Sequence, residues 1–156
     1  MSIPQVGSQA PDFEILSDAG LPVRLSALRG NPVVVYFYPR DSTPGCTIES
    51  CDFRDNHARL AGHGAIILGI SGDSVASHVK FKAKFSLPFS LLADPEHKAI
   101  DAFGAWREKT LYGKTALGIV RSTFVIDKNG KIAAAWPKVA VKGHVDEVLA
   151  AIAALS

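Results

Sequence analysis

An uninterrupted apolar run at residues 32–38, Pro-Val-Val-Val-Tyr-Phe-Tyr, constrains the fold of this chain more than any other segment. Its β-branched and aromatic residues predict a β-strand, and the lack of polar alternation predicts that both faces of the strand are buried. Such a strand needs packed layers above and below its sheet. With 156 residues the chain can bury that core without a disulfide or a metal, and we predict a single domain over residues 1–156.

Shorter patterns predict the elements that surround this strand. Lys128-Asn129-Gly130 lies between two apolar runs and predicts a β-hairpin, because Asn and Gly tolerate positive φ. Residues 106–118 lack a clear periodicity and contain two glycines, so we predict a loop there. The other predicted strands are 12–16, 65–70, 89–93, 122–127 and 131–136, and the predicted helices are 46–62, 74–85, 98–103 and 145–155. This order predicts an α/β fold with a central mixed β-sheet flanked by helices on both faces.

The charge and the apolar content of the chain argue against several classes of protein. The net charge is +2 and there is no run of Lys or Arg, so we expect neither nucleic acid nor an anionic membrane as a partner. No stretch approaches the ~18 consecutive apolar residues of a membrane-spanning helix. Residues 1–5 lack the basic and apolar regions of a secretory signal, and the chain has only two cysteines, so we expect a cytoplasmic protein.

The two cysteines, Cys46 and Cys51, are close in sequence, which in a reducing compartment favours chemistry over a structural disulfide. Cys46 follows a Thr-Pro-Gly loop at the start of a predicted helix, on the loop after the buried strand, where α/β proteins place their sites. Backbone N–H groups without partners and the helix dipole favour a thiolate there. Because the thiolate is the nucleophilic form, Cys46 is the candidate nucleophile.

The spacing of the two cysteines has a geometric consequence. Five residues of α-helix rise about 7.5 Å and turn by about 140°, which places the two Cα atoms roughly 8–9 Å apart. A disulfide needs about 4.4–6.8 Å between its Cα atoms, with converging Cβ vectors. Cys46 and Cys51 therefore cannot bond while the helix is intact, and if they pair, the helix must unwind locally.

Other interpretations of these residues stay open at this point. Either cysteine could be an inert buried hydrophobe. His57 and His63 invite a zinc site with the cysteines, but C-x4-C-x5-H-x5-H is not a usual finger spacing, and we expect no metal. A cysteine–histidine hydrolase is a further alternative, although no histidine has the sequence context of a base. Glu49 could favour the helix dipole or could orient an arginine.

A known active-site signature matches the segment around Cys46. Residues 37–51 have the sequence Phe-Tyr-Pro-Arg-Asp-Ser-Thr-Pro-Gly-Cys-Thr-Ile-Glu-Ser-Cys, whose Pro-x-x-x-Thr-x-x-Cys pattern resembles that of the peroxiredoxins. The second cysteine, five residues on, is similar to the Q-type subfamily, also called bacterioferritin comigratory protein. The resemblance continues through residues 53–55, 87–89 and 118–127 and covers nearly the whole chain. It implies a thioredoxin-like fold, which a buried strand followed by a helix with a cysteine in its first turn also fits.

The resemblance implies an activity and a set of site residues. Proteins of this type are thiol-specific peroxidases that reduce hydrogen peroxide and organic hydroperoxides in antioxidant defence, without a metal or a bound organic cofactor. The family site maps onto Pro39, Thr43, Cys46 and Arg121, with Arg121 beside the thiolate and the peroxide. Cys51 matches the resolving cysteine, which forms an intramolecular disulfide with Cys46 that thioredoxin usually reduces. Q-type members are often monomeric, so we expect a monomer.

Peroxide reduction would need more than an ionised thiol. A free thiol has a pKa near ~8.5, so complete ionisation at pH 7 raises the fraction of thiolate by only roughly 30-fold. Further groups must stabilise charge on the peroxide oxygens as the O–O bond breaks. The Thr43 hydroxyl and the backbone N–H groups of Gly45 and Cys46 are the candidate donors, and Pro39 is expected to stiffen the loop and shield the thiolate from water.

Two rival functions share parts of this pattern. A thiol–disulfide oxidoreductase acting on proteins would have the same fold, but such enzymes usually use C-x-x-C, which this chain lacks. A redox sensor or a chaperone-like holdase would need no peroxidase chemistry. The residues 114–117 have smaller side chains than relatives often carry, which leaves the outer wall of the pocket, and hence the preferred peroxide, open.

Overall fold

The computed structural model describes residues 3–155, apart from the side chain of Leu111. The chain forms nine strands and five α-helices within these residues, with a short 3-10 turn at Leu25–Leu28. The strands are β1 (Glu14–Ser17), β2 (Pro22–Arg24), β3 (Val33–Phe37), β4 (Ile66–Ser71), β5 (Ser90–Ala93), β6 (Trp106–Leu111), β7 (Lys114–Ile119), β8 (Ser122–Ile126) and β9 (Ile132–Trp136). The helices are α1 (Pro44–Asp55), α2 (His57–Ala61), α3 (Val75–Phe85), α4 (Lys98–Ala102) and α5 (His144–Ala153).

Seven of the strands form one mixed sheet in the order β2-β1-β5-β4-β3-β8-β9. β3 is parallel to β4 and antiparallel to β8, while β4 and β5 are parallel to each other. The residues of β3 are all buried and alternate between two hydrophobic clusters, with Val33, Val35 and Phe37 in one and Val34 and Tyr36 in the other. The predicted two-sided burial of this strand is therefore confirmed.

Helices complete the clusters on both faces of the sheet. α4 contributes Ala99 and Ile100 to the cluster that contains Val33. The cluster on the opposite face, which contains Val34, includes Phe53 of α1, Phe81 of α3 and Val148 of α5. The predicted central mixed β-sheet with helices on both faces is thus confirmed.

The predicted loop at 106–118 is wrong, because β6 and β7 form a two-stranded antiparallel hairpin there. Tyr112 and Gly113 make its turn with φ values of 53° and 76°, the two positive values that a type I′ hairpin turn requires. Most residues at the tip of the hairpin and along β7 are exposed, and Tyr112 is 97% exposed. Because the two strands contact the core only at one end, through Trp106 and Ile119, they lack the alternation that would have indicated them.

The predicted helix at 46–62 also needs correction. It consists of α1, which begins two residues earlier at Pro44, and the short helix α2, separated from it at Asn56. The short strand β2 and the 3-10 turn after it lie in a segment for which the sequence predicted no element. The hairpin predicted at 128–130 is confirmed as the connection between β8 and β9.

The described residues contain neither a membrane-spanning helix nor a cluster of metal-ligating side chains. Within residues 3–155, none of the helices has the length and apolar content needed to cross a membrane. In the same part of the chain, no three His, Cys, Asp or Glu side chains are grouped in a way that could hold a metal ion.

Candidate active site

Cys46 lies in the first turn of α1, just beyond the end of the central strand β3. Proline is tolerated at the first helical position, Pro44, because the first N–H groups of a helix have no intrahelical partner. The first helical hydrogen bond runs from the Thr47 N–H to the Thr43 carbonyl at 2.9 Å, so the Gly45 and Cys46 amides lie ahead of it. The Cys46 side chain is only 1% exposed. The sulfur therefore lies in a buried position at the positive end of the helix dipole.

Arg121 is brought to Cys46 by the pairing of β8 with β3. Ser122 at the start of β8 lies opposite Phe37 at the end of β3, so the preceding Arg121 lies beside the loop that leads to Cys46. Its Nη2 donates to Cys46 Sγ at 3.4 Å. A guanidinium is always charged and stabilises negative charge on the sulfur. The structure thus brings Arg121 and Cys46 together.

Glu49 fixes the other side of the Arg121 guanidinium. Arg121 Nη1 donates to Glu49 Oε1 at 2.8 Å, so of the two roles considered for Glu49, the structure has the contact with an arginine. The Glu49 side chain is fully buried, and its Oε2 has no hydrogen-bond partner among the described residues. Burial raises the pKa of Glu49 from 4.5 to about 7, and the neighbouring Arg121 charge offsets part of that effect.

Gly45 has no side chain, and the Arg121 guanidinium lies in the space that a side chain would fill. A Cβ at position 45 would lie 3.1 Å from Arg121 Nη2, closer than such contacts ordinarily are. The glycine therefore lets the guanidinium approach the first turn of α1.

Thr43 has its hydroxyl proton engaged. Thr43 Oγ1 donates to the Arg40 carbonyl at 2.8 Å. A hydroxyl has one proton and two lone pairs, so this group is left as an acceptor. We expected this hydroxyl to donate to the peroxide oxygens, but in the structure its proton is donated to the Arg40 carbonyl instead.

Pro39 and Arg121 line a cavity of about 490 Å³ beside the hairpin. Lys109 of β6 lines the same cavity and donates through Nζ to the Ile119 carbonyl at 2.7 Å. Burial lowers the pKa of Lys109, and the positive charge of Arg121 lowers it further. This second cation was missed from the sequence because its segment was predicted to be a loop. The Tyr112-Gly113 dipeptide, with positive φ at both residues, is a local signal that could have indicated the hairpin.

Cys51 lies on the same uninterrupted helix as Cys46, and the thiols of both residues are free. It is partly buried, and burial raises the pKa of its thiol, an effect that the positive charge of Arg54 partly offsets. The preceding residue, Ser50, is fully buried and shares a hydrogen bond of 2.9 Å with the Tyr36 hydroxyl. The structure therefore places the two cysteines on one helix without bringing their thiols together.

The chain is similar to proteins of one family over nearly its whole length. Residues 6–135 match the AhpC/TSA family. The chain is 52% identical to Peroxiredoxin Bcp of Bacillus subtilis, over 93% of this chain and 92% of that protein.

Solved structures give the same result. A mutant of Xanthomonas campestris Peroxiredoxin Q superimposes with a TM-score of 0.90 and 42% identity, covering 99% of both chains. The bacterioferritin comigratory protein of X. campestris, solved to study its alkyl peroxide reduction activity, has a TM-score of 0.88 and 42% identity. That alignment covers 99% of this chain and 98% of the other.

Proposed function

This chain belongs to the AhpC/TSA family of peroxiredoxins, and on that basis we propose that it reduces hydrogen peroxide and organic hydroperoxides with the thiol of Cys46. The resemblance to Q-type peroxiredoxins and the thioredoxin-like fold expected from the sequence are confirmed by these relatives and solved structures. The alkyl peroxide reduction activity of the X. campestris relative supports organic hydroperoxides as substrates. One observation carries the proposal: Arg121 Nη2 lies 3.4 Å from the buried Sγ of Cys46, in the first turn of a helix.

In the proposed first step, the Cys46 thiolate attacks the terminal oxygen of the peroxide and the O–O bond breaks. The sulfur keeps that oxygen as a sulfenic acid, and the other oxygen takes up the proton that Cys46 lost on ionisation and leaves as water or an alcohol. Arg121 stabilises the thiolate and directs N–H donors toward the oxygens, where negative charge grows in the transition state. Thr43 Oγ1 accepts a hydrogen bond from the peroxide O–H, because its own proton is donated to the Arg40 carbonyl.

Pro39 and Gly45 complete the proposed peroxide pocket. Pro39 lies beside Arg121 in the wall of the cavity, where its ring can keep water from the thiolate. Gly45 gives Arg121 room, and its backbone N–H precedes the first helical hydrogen bond, so it is a further candidate donor.

In the proposed second step, the Cys51 thiol attacks the Cys46 sulfenic acid, which releases water and forms an intramolecular disulfide. Both residues lie on α1, where five residues of intact helix keep their Cα atoms roughly 8–9 Å apart. The step therefore requires local unwinding of α1. An external dithiol then reduces the disulfide, and we propose thioredoxin for this role.

The cellular setting is also part of the proposal. We infer a monomeric, cytoplasmic enzyme of antioxidant defence. Two free cysteines on one helix support a cycle within one chain, since the disulfide needs no second copy. The oligomeric state can be measured by sedimentation at several concentrations and in both redox states.

The test is NADPH consumption in the presence of thioredoxin, thioredoxin reductase and either hydrogen peroxide or an alkyl hydroperoxide. The wild type should consume NADPH catalytically, and Cys46→Ser should lose both the first turnover and cycling. Cys51→Ser should keep the first turnover, measured in a single-turnover experiment, and lose cycling. Full peroxidase activity in Cys46→Ser would rule out the assignment. Reduction of insulin disulfides without any dependence on peroxide would favour the oxidoreductase instead.

A further inference from the structure

The peptide group between Arg40 and Asp41 is hydrogen-bonded at both ends. Its carbonyl accepts the Thr43 hydroxyl at 2.8 Å. Its N–H donates to Asp73 Oδ2, also at 2.8 Å. A peptide group is planar, and its C=O and N–H point in opposite directions. A rotation of this one plane would therefore break both hydrogen bonds together.

Asp73 is itself held in place by the end of strand β4. Ser71 Oγ donates to Asp73 Oδ2 at 2.7 Å, and the Asp73 N–H donates back to Ser71 Oγ at 3.1 Å. Ser71 is fully buried in the sheet. The carboxylate that receives the Asp41 N–H is therefore fixed to the rigid core.

The side chain of Asp41 anchors the same residue a second time. It accepts hydrogen bonds from the Tyr38 hydroxyl at 2.5 Å and from Ser77 Oγ at 2.8 Å, and His78 Nδ1 lies 2.7 Å from it. The next residue, Ser42, has a φ of 63°, which is unfavourable for a residue other than glycine. The loop can hold that conformation because the residue before it is fixed through both its backbone and its side chain.

We propose that Asp73 is a positioning residue for peroxide reduction, which orients the Thr43 hydroxyl through the Arg40–Asp41 peptide group. The proposal rests on the proposed peroxidase function, in which Thr43 accepts the peroxide O–H. The Asp73 carboxylate polarises the peptide, because hydrogen bonds in a chain strengthen one another. The Arg40 carbonyl then holds the Thr43 proton more firmly, and the lone pairs of Oγ1 stay directed toward the substrate. Asp73 does all this without touching the peroxide.

The test compares two reactions of Cys46 in the reduced full-length protein. Oxidation by hydrogen peroxide, followed by stopped-flow tryptophan fluorescence, needs both the thiolate and the oriented hydroxyl. Alkylation by iodoacetamide needs the thiolate alone. Asp73→Ala should slow oxidation roughly tenfold, since a hydrogen bond to a charged group is lost, and should change the alkylation rate less than about twofold. Asp73→Asn keeps an oxygen that can accept a hydrogen bond from the Asp41 N–H, so it should slow oxidation less than Asp73→Ala does.

A double-mutant cycle links the effect to Thr43. Thr43→Val should slow oxidation, and Asp73→Ala should add no further loss in the Thr43→Val background, whereas the matched control Asp101→Ala on α4 should match the wild type. If Asp73→Ala prevents folding, the same cycle is measured with Asp73→Asn. Equal losses in oxidation and alkylation, additive effects with Thr43→Val, or oxidation at the wild-type rate in both Asp73 variants would overturn the proposal. A wild type that fails to react with peroxide would instead overturn the proposed function.

Discussion

Replacing Glu49 by glutamine should remove a pH dependence from the stability of this protein. The pKa of Glu49 in the folded state is about 7, raised from 4.5 by burial, and Arg121 offsets only part of that effect. Between these two pH values the folded protein keeps the carboxyl proton, while the unfolded chain releases it. The free energy of unfolding should therefore fall as pH rises through this window. Glutamine cannot ionise, so the variant should lack this decline.

The size of the effect follows from the same two pKa values. One pKa unit corresponds to ~1.4 kcal/mol, so the wild type should lose roughly 3 kcal/mol relative to Glu49→Gln between pH 4.5 and pH 8. A single domain has a total stability of about 5–15 kcal/mol, so this loss is a measurable fraction. The amide oxygen of glutamine can still accept the hydrogen bond from Arg121. That hydrogen bond becomes weaker, because the acceptor no longer carries a negative charge.

Urea unfolding of the reduced proteins at several pH values between 4.5 and 8 measures this difference. An exposed carboxylate, changed in Glu96→Gln, serves as the matched control and should follow the wild-type curve. The pair should also be measured in a Cys46→Ser background, because that change removes the neighbouring thiol from the titration. Parallel stability curves for the wild type and Glu49→Gln would refute the argument, since they would mean that Glu49 releases its proton equally in both states.

Two further predictions concern the environment of the cysteines. Gly45→Ala should slow peroxide reduction roughly tenfold with little loss of stability, because the added Cβ would lie 3.1 Å from Arg121 Nη2 and displace the guanidinium; an unchanged rate constant would show that Arg121 can move without cost. Tyr36→Phe should speed formation of the proposed disulfide and lower the free energy of unfolding by about 1 kcal/mol, because it removes the hydrogen bond that holds Ser50 on α1. Acid quenching and mass spectrometry measure the disulfide, and slower formation would contradict this prediction.

The position of Cys46, the proposed nucleophile, could be predicted because the signals for it are local. The apolar run at residues 32–38 has no alternation, and the structure explains this by packing the two faces of β3 into separate clusters. The turn-rich loop and the cysteine directly after it placed Cys46 in the first turn of a helix, as observed. Both inferences depend on residues that are neighbours in the sequence.

The partners of Cys46 could not be predicted in the same way because they come from distant segments. Arg121 is 75 residues from Cys46, and only the family resemblance singled it out. Its contact with Glu49 depends on the pairing of β8 with β3, which no local pattern specifies. Lys109 was missed for another reason: its hairpin packs too little against the core to show a periodicity. The second hydrogen bond of the Arg40–Asp41 peptide likewise depends on Asp73, 32 residues farther along the chain.

The contacts along α1 determine where the helix would open in the proposed cycle. Phe53 is fully buried and stacks on Tyr36 with ring centroids 4.6 Å apart, so exposing it would cost about 1.5–3 kcal/mol. Ser50 is held by one hydrogen bond to Tyr36, worth about 1 kcal/mol. The buried Glu49 before it is held by Arg121 at 2.8 Å. Unwinding is therefore cheapest in the first turn of α1, ahead of Glu49. Cys51 lies between Ser50 and Phe53, close to the part of α1 that stays folded, and the segment that has to move is the first turn with Cys46. Closing the disulfide in this way also takes Cys46 away from Arg121, so the peroxide site would be dismantled in each cycle and would form again only after reduction.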